Sequence, residues 1–154
     1  MDDTERLQLI AEAVRYCQRV SAMGMSIAGY RSTVREAIHF VWARRLGSKA
    51  KSAKYRSRDA VGRKSGRREI IYDHAIPYRY ELKALMDLTE VTPETVRAVL
   101  EKYDACVIIT ADDDARLAAA HLGSKMPDDW DGIDPLARYK AVGIEIVENT
   151  TISK

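Results

Sequence analysis

Cysteine is scarce. Cys17 and Cys106 are the only two in 154 residues, and they lie far apart. That excludes a disulfide framework and a cysteine-rich zinc site, and leaves two buried free thiols as the reading. No apolar run approaches the roughly 20 residues a helix needs to cross a bilayer, so no membrane partner is expected. The opening residues, Met1-Asp2-Asp3-Thr4-Glu5, are acidic and lack the apolar core of a signal peptide. The expected location is the cytoplasm. There is no internal repeat, and nothing in the composition marks a second domain.

Acid is missing from one stretch. From Arg44 to Arg68 the chain carries Arg44, Arg45, Lys49, Lys51, Lys54, Arg56, Arg58, Arg63, Lys64, Arg67 and Arg68, and only Asp59 opposes them. After Tyr80 the balance turns acidic, so the net charge of +2 conceals a segregation. Such segregation points to a polyanion partner for the middle segment, unless the acidic half of the same molecule neutralises it.

What is present suits one globular domain. Apolar residues make up 46% and charged residues 31%, at a length that supports a sizeable core. Leu7, Ile10, Ala11, Val14, Cys17 and Val20 fall at three- and four-residue spacing, which predicts a helix from about Asp3 to Met23, capped by Asp2 with Glu5. Gly29 weakens any helix starting at Ser26, so the next one is expected from about Ser32 to Leu46. His39 sits in it as a surface or half-buried residue. From Ser48 to Gly66 the pattern dissolves into a basic helix or a flexible arm, with Lys51, Lys54 and Arg58 on one face.

Glu69 to Asp73 reads as a strand that Ile76-Pro77 stops. A helix over 78–88 follows. Thr92-Pro93-Glu94 starts another, running to Tyr103. Ala105-Cys106-Val107-Ile108-Ile109 is an apolar strand buried on both faces. Thr110 caps the next helix, which Gly123 closes. A loop anchored by Trp130, a short helix from Asp134 and a last strand at 144–147 complete the chain. The expected fold is α+β: predominantly helical, with a small β-hairpin at about 68–74 and 105–110 packed by a helix. Its parts are a helical region (1–47), the basic segment (48–68), a ββα-like core (69–122), and a loop, short helix and tail (123–154).

One constellation carries chemistry. The first strand ends Asp73-His74-Ala75-Ile76-Pro77, and the second leads through Thr110 into Asp112-Asp113-Asp114. This layout resembles the ββα-metal, or His-Me finger (HNH-type), nuclease superfamily. Members often carry an acid or histidine, then histidine, then an apolar-Pro step at the first strand, and a metal ligand in the first turn of the helix after the second. The resemblance covers about 45 residues. It implies His74 as general base and Asp73 and Asp114 as ligands of Mg²⁺ or Mn²⁺. An aspartate stands where that helix usually offers histidine, and the usual second-strand asparagine has no match, Asp104 being the nearest polar residue. Residue by residue there are plainer readings. Acids belong at any helix N-terminus, His74 suits a strand end, and Tyr72, Tyr78 and Tyr80 suit packing as well as stacking on bases.

The leading expectation is a nucleic-acid-binding protein, DNA ahead of RNA, that hydrolyses phosphodiesters with a divalent metal. Lys49, Lys51, Lys54, Arg56, Arg58, Arg63, Lys64, Arg67 and Arg68 would hold the backbone. The alternative is a non-catalytic nucleic-acid-binding regulator or inhibitor using the same basic segment. A third reading turns the basic face to an acidic protein.

Overall fold

A computed structural model describes residues 1–64 and 69–150. In chain order its elements are α1 (Asp3–Ala22), α2 (Ile27–Ala37) continuing into a π-helical turn (Ile38–Ala43), α3 (Lys49–Ser52), β1 (Tyr55–Ser57), β2 (Ile71–His74), α4 (Tyr78–Met86), α5 (Pro93–Tyr103), β3 (Cys106–Ile109), α6 (Ala111–Ala119), α7 (Ala137–Ala141) and β4 (Ile146–Glu148). They form two compact units. A helical unit comprises Met1–Ser48 and Tyr78–Asp104, and a sheet unit comprises Lys49–Pro77 and Ala105–Lys154. The fold class is the expected α+β, mostly helical with a small sheet.

The helical unit follows its apolar periodicity. Leu7, Ile10, Ala11, Val14 and Cys17 are all buried on one stripe of α1. They pack with Tyr30, Val34, Leu82, Leu85, Val96 and Leu100 from the other helices. The capping box is formed in full: Glu5 N–H donates to Asp2 Oδ1 and Asp2 N–H to Glu5 Oε2, both at 2.8 Å. Thr92 and Pro93 start α5 as expected. The second helix begins earlier than the glycine suggested, at Ile27. A Cβ on Gly29 would stand 2.8 Å from Met25 Cγ, so the bare glycine gives the methionine room beside the helix. The basic residues nearby also shield this core: the Arg45 guanidinium lies 3.9 Å from the centre of the buried Trp42 ring.

In the sheet unit the strand order is β2-β3-β1-β4. β3 runs parallel to β1, and the two outer pairs are antiparallel. The expected pairing of the Asp73 strand with the apolar strand is present, from Ile71↔Ile109 to His74↔Cys106. It is not a hairpin, because α4 and α5 intervene in the sequence. The basic segment also differs from expectation. Instead of one basic helix or an arm, it forms α3 and then β1, a strand inside the sheet. Three residues are too few to show a period of two, and β1 is fixed by non-local partners in β3 and β4. β3 is buried on both faces. Val107 and Ile109 pack with Leu117, Leu122, Tyr139 and Ile144. Ile108 packs the other way, on Ala53 and Ala60. His121, not Gly123, closes α6. It takes a left-handed backbone (φ 60°), and Leu122 N–H reaches back to Leu117 O at 2.8 Å.

One buried group in the helical unit sets a pH dependence. Glu81 is 1% exposed, and its Oε1 has no hydrogen-bond partner among the described residues. Burial first, and the Asp104 carboxylate second, raise its pKa well above the ordinary 4.5. The native state therefore keeps a proton that the unfolded chain releases, and stability falls as pH rises from the unfolded value towards the folded one. Glu81→Gln removes this dependence. Thermal midpoints across a pH series should show the variant gaining on the native protein as pH rises, with the difference smallest near pH 4.5. A constant offset between the two at every pH would refute the assignment.

Candidate functional site

Strand geometry decides what the Asp73-His74 pair can do. Successive residues of a strand point to opposite faces. Asp73 pairs with Val107 and His74 with Cys106. Asp73 thus shares its face with Val107, Ile109 and the α6 residue Leu117. His74 shares the other face with Tyr72 and Cys106. His74 is exposed and Asp73 half-buried.

The Asp73 carboxylate is already engaged. Its Oδ2 accepts from Arg138 Nη2 at 2.7 Å and from the Tyr139 hydroxyl at 2.6 Å. Arg138 is fully buried, and its remaining donors go to backbone carbonyls: Nε to Ala75 at 3.1 Å, Nη1 to Leu122 at 2.8 Å, and Nη2 also to His74. Burial, then the adjacent Asp73 charge, holds the Tyr139 phenol well above its ordinary pKa, so it acts as a neutral donor. This is a satisfied structural knot around one cation.

Asp114 is exposed in the first turn of α6. That turn follows Ile109, which pairs with Ile71, whereas His74 pairs with Cys106 at the other end of the strands. Three strand residues separate those ends, roughly 10 Å. The buried acid of the triplet is Asp113, which completes a capping box with Thr110 and accepts from Ser57 Oγ at 2.6 Å. Burial pushes its carboxyl up, but the bonds from Ser57 and Thr110 outweigh this and hold it below the usual range. Asp73, His74 and Asp114 therefore do not converge, and as a set they do not fit a Mg²⁺ or Mn²⁺ ion. Among the described residues no group of three His, Cys, Asp or Glu side chains is placed to hold a metal.

The His74 face carries a different feature. A groove of about 780 Å³ opens there, lined by Tyr72, Ile70, Val61, Val147 and a cluster of cations. Among the described residues, Arg56, Arg58, Arg63 and Lys64 line it, against one carboxylate, that of Glu148. Arg56 is held in place: Nε donates to Asn149 Oδ1 at 2.9 Å, and Nη1 to Ala60 O and Arg63 O at 3.0 and 3.2 Å. Asn149 in turn donates to Ala50 O and Ala53 O, both at 2.9 Å. Arg58 pairs with Glu145 at 2.7 Å on the surface. Arg63 and Lys64 are exposed. Lys49 Nζ lies 5.8 Å from the centre of the Tyr72 ring. Lys51 and Lys54 are exposed on either side of Ala53, outside the groove lining, and Arg67 and Arg68 lie outside the described residues.

Sequence reasoning missed Arg138, Tyr139, Ser57 and Asn149. All four are buried polar residues whose partners lie far along the chain. Comparison with protein-family models, curated proteins and solved structures returns no match, so the site is read from its own residues.

The knot predicts a stability cost. Arg138→Leu leaves Asp73 and several carbonyls without their donor, and Asp73→Asn leaves a buried guanidinium without its counter-charge. Removing one partner of a buried pair costs about 3–5 kcal/mol. Urea unfolding should show Arg138→Leu losing an amount of this order. A loss below about 1 kcal/mol, the level of a surface pair, would contradict the structural role.

Proposed function

We propose that the sheet unit binds nucleic acid through the cationic groove on the Tyr72 face and does not hydrolyse it. The observation that supports this reading is the groove's charge: among the described residues, four cationic side chains against one carboxylate, around a partly exposed aromatic ring. Phosphate contacts need only flexible Lys and Arg donors near a surface, and they supply most of the affinity for a polyanion. Arg63 and Lys64 are the exposed contacts. Arg56, clamped by Asn149, is a fixed positive charge that focuses the field. Arg58 can exchange Glu145 for a phosphate at little cost, since both partners are more than half exposed.

Hydrolysis is left out because Asp73 is committed to Arg138 and Tyr139. Its release would strip a buried guanidinium of its counter-charge. His74 shares the groove's face, yet no second acid is drawn to it from the first turn of α6.

Labelled DNA titrated by fluorescence anisotropy should bind with a steep salt dependence. Arg63→Ala with Lys64→Ala should weaken binding and flatten the slope of log K against log salt by roughly 0.7–0.9 for each lost contact. No binding even at low salt would sink the proposal and favour an acidic protein partner. Plasmid incubated with Mg²⁺ or Mn²⁺ should stay intact. Cleavage that disappears in His74→Ala would return hydrolysis to this site.

A further inference from the structure

The groove has a shape as well as a charge, and the shape bears on which form of nucleic acid fits. Its lining includes apolar and aromatic side chains: the half-buried Ile70, Tyr72 and Val147, and the exposed Val61. Its rim is cationic, with Arg63 and Lys64 exposed. A duplex presents phosphates on a convex cylinder and keeps its base faces stacked out of reach. A protein reads it by inserting a protruding helix or ribbon into a groove. The elements around this site are a sheet face, a helix of four residues (α3) and a 3-10 turn at Arg58–Ala60. Among the described residues, none of these is a long helix or ribbon of the kind that reads a major groove. The protein surface here is concave, and its apolar lining would stay unfilled against a duplex.

Unpaired bases fit it. A base needs a ring or apolar surface to stack on and a cationic track for its phosphate. Tyr72 is placed for the first role. It packs on Ala53, Ala60 and Ile108, which fix the ring, and still lines the groove. Lys49 Nζ, 5.8 Å from the ring centre, adds positive charge beside it. A space of about 780 Å³ is in the range that accepts a compact organic ligand. We infer that the site takes single-stranded nucleic acid in preference to duplex, with Tyr72 as the stacking platform and Arg63 and Lys64 on the backbone. This inference rests on the nucleic-acid reading above and names the strand form that the reading leaves open.

The test compares a labelled oligothymidine with the duplex it forms with its complement, at one salt concentration. The single strand should bind more tightly. Tyr72→Phe keeps the ring and should keep that affinity. Tyr72→Leu keeps apolar volume in the cluster but removes the π-face, and should lose roughly 5- to 150-fold for the single strand, with little change for the duplex. Equal or tighter duplex binding overturns the inference and leaves nucleic-acid binding standing. A folded Tyr72→Leu protein with unchanged single-strand affinity also overturns it. Binding to neither form overturns the underlying reading instead. Should Tyr72→Leu fail to fold, the comparison of strand forms on the native protein still decides.

Discussion

A guanidinium sealed from water organises the sheet unit. Arg138 has to satisfy its donors without solvent, and an unpaired charge there would be among the costliest defects a fold can carry. It does so by collecting the end of β2 (Asp73, His74 and Ala75), the chain just past α6 (Leu122) and the neighbouring Tyr139. These groups come from both stretches of sequence that make the unit. The cation therefore acts as a register mark. It holds the end of one strand against the close of a helix, and it takes Asp73 Oδ2 as its counter-charge. Asp113 with Ser57, and Asn149 with Arg56, repeat the device on a smaller scale.

The pairing of acid and histidine in the sequence shows how adjacency misleads on a strand. Neighbours in a strand are the residues least able to act together, because the pleat sends them to opposite sides. Asp73 turns into the unit's larger apolar cluster, and His74 turns to the side where the groove opens. What gathers on that side, among the described residues, is positive charge: Arg56, Arg58, Arg63 and Lys64.

Local signals in the chain were legible. The stripe of α1, the capping boxes at Asp2, Thr92 and Thr110, the proline at the start of α5 and the apolar β3 each depend on residues within a few positions of one another. The antiparallel partnership of β2 and β3 could also be anticipated. β1 could not be, since three residues carry no visible period and its basic neighbours suggested a solvated helix. Arg138 and Tyr139 sit in a helix of five residues whose sequence gives no hint of burial. Their partner lies about 65 positions away. Of the residues singled out in the sequence, Arg56, Arg58, Arg63 and Lys64 line the groove, while Asp73 is bonded into the scaffold by Arg138 and Tyr139.

The two units are interleaved along the chain, each assembled from two stretches with the other's residues between. No single cut between elements can therefore release an intact unit. A break near Ser48 divides the helical unit, a break near Asp104 divides the sheet unit, and a break near Pro77 divides both. During synthesis the helical unit has all its residues only once Asp104 has emerged, and the sheet still waits for β4, the strand that pairs with β1 on its outer side. β1 must persist unpaired over some fifty intervening residues before β3 arrives, so the charge of Arg56 within it, and of Lys54 and Arg58 at its ends, has a second consequence. Charged residues discourage an exposed strand edge from pairing with the wrong chain. Lys54, Arg56 and Arg58 place charge of this kind along and beside that edge.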